Sequence, residues 1–132
     1  MDFMLEIITP DRVFLKGEVE SVIVRTTVGD KGILARHEPY AAALVTGKLR
    51  VKFNGKTHIA ALSSGVVKVE PEKTTILAQT CEWSHEIDIH RATHAKEVAE
   101  ERLSDRSLDA KDVAIAEFKL RRALNRLDTA AK

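Results

Sequence analysis

The pattern of apolar and polar residues changes at one short stretch, residues 82–92. Before it, apolar residues alternate with polar ones in short runs that glycine, proline and asparagine interrupt. After it, neither glycine nor proline occurs as far as Lys132, and alanine and leucine recur among charged residues at helical spacing. Alternation with a period of two is typical of half-buried strands, whereas the longer period is typical of amphipathic helices. The pattern therefore predicts an α+β chain, with strands in residues 1–84 and helices in residues 85–132.

The clearest strand pattern lies in residues 48–62. Apolar residues from Leu49 to Phe53 alternate with basic ones, and Asn54-Gly55 follows as the dipeptide typical of a type I′ turn. The apolar pattern resumes after the turn, which predicts a β-hairpin.

Other short apolar runs resemble strands separated by flexible connections. We predict a loop at residues 29–32, where two glycines occur, and a turn at residues 63–65, where two serines precede a glycine. Many short strands at close spacing indicate a small antiparallel sandwich or barrel.

The helical part is predicted to form a two-helix hairpin. The first helix is expected over residues 87–103, and Ser107 or Asp109 is expected to cap the second. The second helix carries apolar residues at the spacing of a coiled-coil seam: Val113, Ala116, Leu120, Ala123 and Leu127. Alanine buries little surface, and burial contributes only about 25 cal/mol per Å². We therefore expect a weakly held hairpin that is able to move.

Composition excludes several classes of function. The 21 lysines and arginines nearly balance the 20 acidic residues, so the overall charge does not indicate a nucleic-acid-binding protein. Cys81 is the only cysteine, which excludes an internal disulfide and a metal site made of several cysteines. The apolar runs are too short to span a bilayer, so we expect membrane association only through a partner.

Motifs for catalysis and metal binding are weak. His90 and His94 have the spacing of zinc ligands, but Arg91 replaces the glutamate of the metalloprotease motif and repels a cation. We therefore expect two solvated histidines and no metal site. The remaining histidines and serines lie in no nucleophile motif, and we predict no catalytic residue.

Charged residues at the two helix ends allow two interpretations. In the first interpretation, Asp88 is a helix N-cap whose side chain accepts a hydrogen bond from the backbone N–H of Arg91, and the Arg91 side chain lies in solvent. Alternatively, the antiparallel hairpin brings Arg122 and Arg126 to Arg91 near Glu82, and this cluster binds a polyphosphate. The residues alone favour the first interpretation, because charged helix faces are usually solvated.

Seven segments along the chain are similar to those of a known family, at residues 5–13, 29–34, 37–39, 47–51, 64–65, 87–92 and 122–127. With these segments, the whole chain resembles the epsilon subunit of the bacterial F-type ATP synthase. Ile87-Asp88 with Arg91-Ala92 resembles the ATP-recognition motif of that family. The order and spacing of the seven segments together are more specific than any one of them.

The resemblance implies a β-sandwich of about ten strands and a two-helix domain. It implies a non-catalytic subunit of a rotary proton-translocating ATP synthase, bound in the central stalk to the gamma subunit and the c-ring. It further implies a peripheral position at the cytoplasmic face of the bacterial membrane. The helices are expected to fold as a hairpin or to extend toward the catalytic alpha and beta subunits, where they inhibit ATP hydrolysis. ATP, with Mg²⁺ as an optional companion, would favour the folded hairpin, and no other cofactor is expected.

Matching the family motifs by position assigns two groups of residues. The ATP-binding candidates are Glu82, Ile87, Asp88, Arg91, Ala92, Arg122 and Arg126. The c-ring contact is expected at a loop that contains Asp30 and His37. The alternative function, based on the arginine cluster alone, is a free-standing small nucleotide-sensing module.

Overall fold

The computed structural model describes residues 1–131, which form eight strands, one 3₁₀ turn and two helices. The strands are β1 (Phe3–Ile8), β2 (Val13–Val19), β3 (Ser21–Thr26), β4 (Gly29–Leu34), β5 (Tyr40–Leu44), β6 (Gly47–Phe53), β7 (Lys56–Val69) and β8 (Thr74–Trp83). The 3₁₀ turn Ser84–Glu86 leads into the helices α1 (Ile89–Leu103) and α2 (Ala110–Ala130). The predicted sandwich followed by two helices is confirmed.

β7 is the strand that joins the two layers of the sandwich. Residues 56–62 of β7 pair with β6, and residues 65–69 pair with β5. β8 lies beside both parts of β7, while β3 and β4 extend one layer and β1 and β2 extend the other. The pairs are antiparallel except for β1 with β8, which is parallel.

The core between the layers contains apolar side chains from every strand. Alternating positions point inward in β1, β3 and β6, as the sequence pattern predicted, whereas β7 buries four successive residues, 60–63. The buried core residues are Leu5, Ile7, Phe14, Val19, Val22, Val24, Ile33, Leu44, Leu49, Val51, Ala60, Leu62, Val67, Val69, Ile76, Ala78 and Cys81. The predicted turn between β6 and β7 is confirmed, because Asn54 and Gly55 have φ angles of 53° and 73°.

The turn predicted at residues 63–65 is wrong, because β7 runs through it without interruption. Ser64 has a φ angle of 33°, and Gly65 lies against the backbone of β8. A Cβ atom on Gly65 would lie 2.1 Å from the carbonyl oxygen of Leu77. The small residues therefore allow close approach of two strands. This continuity leaves eight strands in residues 1–131, where the family resemblance implied about ten.

The loop predicted at residues 29–32 is also wrong. These residues begin β4, which pairs with β3, and Asp30 lies opposite Arg25. Thr27 and Val28 form the turn between the two strands, and Gly29, the first residue of β4, has a φ angle of 117°. The glycines therefore mark the start of a hairpin strand.

The helices pack as the predicted antiparallel hairpin, with one change at the start of α1 and with one of the two predicted caps at the start of α2. α1 begins at Ile89, two residues later than predicted, because Asp88 is its N-cap. Asp109 caps α2, and its Oδ1 accepts the backbone N–H of Asp112 at 2.8 Å. The alanine seam is buried, as its small exposed fractions show: Ala92 3%, Ala99 4%, Ala116 2% and Ala123 1%.

α2 attaches the hairpin to the sandwich through a few polar contacts. Asn125 Nδ2 donates to the carbonyl oxygen of Gly47 at 3.0 Å. Lys48 Nζ lies 2.8 Å from Asp128 Oδ2. The weak hold on the hairpin stays a prediction, and the small buried area of the alanine seam and the few polar contacts are the reasons for it.

Candidate functional site

A cleft of about 470 Å³ lies where the sandwich meets the helical hairpin. This volume is in the range of small-molecule sites. Its walls come from the β1–β2 turn, the end of β8, the 3₁₀ turn, the start of α1 and the end of α2. The lining residues are Thr9, Asp11, Arg12, Thr80, Cys81, Glu82, Glu86, Ile87, Asp88, Arg91, Ala92 and Arg126. Six of the seven residues predicted to bind ATP therefore line one cleft.

Arg122, the seventh candidate, does not line this cleft, but it interacts electrostatically with Arg126 and Glu82, which do. Burial lowers the pKa of the Arg122 guanidinium, and the positive charge of Arg126 lowers it further, whereas Glu82 raises it. The guanidinium carbon of Arg122 lies 5.8 Å from the ring centroid of Phe118. Arg122 therefore lies beside the cleft, on the hairpin side.

Arg126 is fixed at the cleft by an ion pair with Glu82. Arg126 Nε donates to Glu82 Oε1 at 2.6 Å, and the side chains are 23% and 32% exposed. The end of α2 returns to the start of α1, as antiparallel packing requires, and this brings Arg126 beside the final residues of β8. The pair joins the hairpin to the sandwich and presents a positioned guanidinium.

Asp88 is the N-cap that the first interpretation predicted. Its Oδ1 accepts the backbone N–H of Arg91 at 3.1 Å. Arg91 and Asp88 are both exposed, while Ile87 and Ala92 beside them are buried and give the cleft an apolar side. The cap uses one carboxylate oxygen, so it does not conflict with a second role as a ligand contact.

The sequence interpretation missed an ion pair between Arg12 and Glu86. Arg12 Nη2 lies 3.0 Å from Glu86 Oε1, and Arg12 Nη1 lies 3.3 Å from Glu86 Oε2. Glu86 Oε1 also accepts the backbone N–H of Trp83 at 3.0 Å. The hydrogen bonds with Arg12 lower the pKa of the Glu86 carboxyl and raise the pKa of Arg12. The partners are 74 positions apart, so no local pattern could have paired them.

Among the titratable residues that line the cleft, Cys81 has the pKa that departs most from its ordinary value. Burial raises the pKa of its thiol to about 12, although the nearby charge of Arg12 acts in the opposite direction. At neutral pH the thiol is therefore protonated and a poor nucleophile.

Asp30 and His37, the predicted c-ring contacts, lie outside this cleft. Asp30 Oδ1 accepts from Arg25 Nε at 2.9 Å, and this hydrogen bond lowers the pKa of the Asp30 carboxyl. His37 Nδ1 lies 2.7 Å from the carbonyl oxygen of Glu38, and its ring meets Tyr40 edge-on at 5.8 Å.

The two histidines of α1 lie at its surface. His90 and His94 are both exposed. Within residues 1–131, no three histidine, cysteine or acidic side chains are grouped closely enough to hold a metal ion. Neither of the helices in this part of the chain is long and apolar enough to cross a membrane.

Two family descriptions match successive parts of the chain. The β-sandwich domain of the ATP synthase delta/epsilon chain matches residues 2–84, and its long α-helix domain matches residues 85–131.

Bacterial relatives match along nearly the whole length. The ATP synthase epsilon chain of Bacillus pumilus is 46% identical over 128 residues, which are 97% of this chain and 96% of that protein. The epsilon chain of Caldicellulosiruptor bescii is 43% identical over 129 residues, which are 98% of this chain and 93% of that protein. The epsilon chain of Alkaliphilus oremlandii is 51% identical over 102 residues, which are 77% of this chain and 76% of that protein.

Solved structures show the same architecture. A chain of the Euglena gracilis mitochondrial ATP synthase (OSCP/F1/c-ring, rotational state 1) superposes with a TM-score of 0.83 at 25% identity, covering 99% of this chain and 82% of that one. A chain of the Tetrahymena thermophila mitochondrial ATP synthase central stalk and c-ring superposes with a TM-score of 0.65 at 12% identity, covering 98% of this chain and 97% of that one. This second similarity supports the fold alone.

These matches first define the class, a non-catalytic stalk subunit of an ATP synthase. Within that class, the chain belongs to the ATP synthase delta/epsilon chain family, and the bacterial relatives described above are epsilon chains. The resemblance inferred from the sequence is confirmed.

Proposed function

We propose that this chain regulates and couples a rotary proton-translocating ATP synthase from the central stalk. In this role the sandwich connects the gamma subunit to the c-ring, and the helices inhibit ATP hydrolysis when they extend toward the catalytic alpha and beta subunits. ATP bound in the cleft favours the folded hairpin. The complex then holds the chain at the cytoplasmic face of the bacterial membrane as a peripheral subunit.

The observation that carries this proposal is the composition of the cleft. Glu82 comes from the sandwich, Asp88 and Arg91 come from the start of α1, and Arg126 comes from the end of α2. A ligand that contacts all three elements finds its complete site only while the hairpin is folded. It therefore binds the folded state more tightly than the extended state, which is the requirement for a population shift.

The chemistry of the cleft suits a nucleotide. The guanidinium groups of Arg91 and Arg126 supply charge-assisted hydrogen bonds to phosphate oxygens. The carboxylates of Glu82 and Asp88 accept hydrogen bonds from ribose hydroxyls or an amino group of the base, and Ile87 with Ala92 supplies apolar contact. Mg²⁺ can accompany the triphosphate.

The size of the effect follows from mass action. A ligand that binds only one state stabilises it by about 2.7 kcal/mol when its concentration is a hundred times its Kd. A hairpin joined by an alanine seam and a few polar contacts is held weakly enough for such a term to control it.

Co-purification tests the assignment to the complex. An affinity-tagged full-length chain, expressed in its source cells, is expected to retain the gamma subunit and the membrane ring. A chain that purifies alone, yet binds ATP, would favour the alternative of a free-standing nucleotide-sensing module.

Asp30→Ala with His37→Ala is expected to weaken attachment to the c-ring while ATP affinity stays unchanged, because neither residue lines the cleft.

A further inference from the structure

Arg12 gives the sandwich a direct part in the cleft. Three arginines line it: Arg12 from the β1–β2 turn, Arg91 from α1 and Arg126 from α2. We propose that Arg12 is a further ligand-contact residue, which supplies a third guanidinium to the polyphosphate of a bound nucleotide. This inference rests on the nucleotide binding proposed above.

The side chain of Arg12 is already positioned before any ligand arrives. Glu86 holds both of its terminal nitrogens, and its guanidinium carbon lies 5.1 Å from the ring centroid of Phe14. The turn that carries Arg12 is closed by the backbone N–H of Thr9, which donates to the Arg12 carbonyl oxygen at 2.9 Å. A long side chain that is held in place loses little further conformational entropy when it binds a ligand.

Arg12 also keeps donor capacity for a second anion. A guanidinium has five N–H donors. The contacts with Glu86 involve Nη1 and Nη2, and Nε takes no part in them. The side chain of Arg12 is 48% exposed, so solvent and ligands reach it. The same guanidinium is therefore able to hold Glu86 and to donate to a phosphate oxygen.

The contribution of Arg12 changes how the ligand senses the hairpin. Arg12 remains with the sandwich in every position of the helices, whereas Arg91 and Arg126 move with them. A polyphosphate that bridges Arg12 and the two helical arginines joins the sandwich to both helices. The bridge exists only in the folded state, so Arg12 increases the preference of the ligand for that state.

Calorimetric titration of ATP into the full-length chain compares four proteins: wild type, Arg12→Gln, Arg12→Lys and Arg106→Gln. Arg106 is an exposed arginine in the connection between the helices, at the opposite end of the hairpin. We expect Arg12→Gln to raise the Kd for ATP about tenfold, because a charge-assisted hydrogen bond is lost. Arg12→Lys keeps the positive charge but loses the planar guanidinium, so its Kd for ATP is expected to lie between those of wild type and Arg12→Gln. Arg106→Gln is expected to have the Kd of wild type. Circular dichroism checks that each variant is folded.

A second measurement separates ligand contact from support of the fold and needs no folded variant. The Nε–H resonance of Arg12 is followed by nuclear magnetic resonance in wild-type chain labelled at arginine. We expect this resonance to shift on saturation with ATP.

An unshifted resonance would overturn the proposal even if Arg12→Gln bound ATP weakly, because Arg12 would then act only by holding the 3₁₀ turn. Wild-type affinity in Arg12→Gln would overturn it as well. A wild-type chain that binds no ATP would instead remove the proposed function itself.

Discussion

At the scale of single residues, Asp88 has an observed role and a predicted one. It caps α1 through its hydrogen bond with the Arg91 N–H, and we propose that it also contacts ATP. Asparagine caps helices about as well as aspartate, whereas alanine in place of a cap costs about 1 kcal/mol. Asp88→Asn is therefore expected to keep the stability of the hairpin and to weaken ATP binding. Asp88→Ala is expected to lower both the stability of the hairpin and the affinity for ATP.

Thermal unfolding and ATP titration of these two variants separate the roles of Asp88. If Asp88→Asn bound ATP as tightly as wild type, the carboxylate would be a cap and nothing more. The comparison works because the structure shows the cap geometry directly.

At the scale of elements, the attachment of α2 depends on Asn125, whose side-chain amide donates to the carbonyl oxygen of Gly47. Asn125→Ala removes this hydrogen bond, which is worth about 1 kcal/mol. We expect the amides at the end of α2 to exchange with solvent about fivefold faster, as measured by hydrogen-exchange mass spectrometry. Lys119→Ala, at an exposed position of the same helix, is the matched control. Equal exchange in both variants would show that Asn125 does not hold the hairpin.

The close approach of β7 and β8 at Gly65 is a second property of the elements. Gly65→Ala would place a methyl group against the carbonyl oxygen of Leu77, and a backbone atom cannot move as a flexible side chain does. We expect a loss of roughly 3 kcal/mol or more in the free energy of unfolding, measured by urea denaturation. Gly32→Ala meets nothing within 4 Å and serves as the control. A Gly65→Ala protein as stable as that control would contradict the observed strand spacing.

Sequence reasoning succeeded where the contacts are local or periodic. The β6–β7 hairpin followed from its alternation and Asn-Gly turn, and the helix seam followed from its spacing. It failed where a partner distant in sequence decides the outcome. Gly65 resembles a turn residue until β8 lies against it, and Arg12 is an ordinary loop residue until Glu86 folds beside it. Four cleft residues were found because they form the ATP-recognition motif of residues 87–92, and Glu82 and Arg126 were found through the antiparallel hairpin and the family resemblance. Arg12 belongs to no ATP-recognition motif.

At the scale of the whole molecule, the sandwich and the hairpin are expected to divide the work. The sandwich has its own core, and no residue of α1 or α2 belongs to it. Removal of residues 87–132 is therefore expected to leave a folded sandwich that still assembles into the complex and couples it. Hydrolysis of ATP by the assembled complex is expected to rise, because the helices that we propose to be inhibitory are gone. A truncated complex that is still fully inhibited would contradict this division.

The central claim is that the cleft at the base of the folded hairpin binds ATP, and calorimetric titration of the isolated full-length chain tests it most directly. Wild-type chain is expected to give saturable heat for one ATP per chain. Asp88→Ala with Arg91→Ala is expected to give none, and His94→Ala, at an exposed position on the same helix, is expected to match wild type. The account is contradicted if wild-type chain gives no binding heat, or if the double variant binds ATP with unchanged affinity.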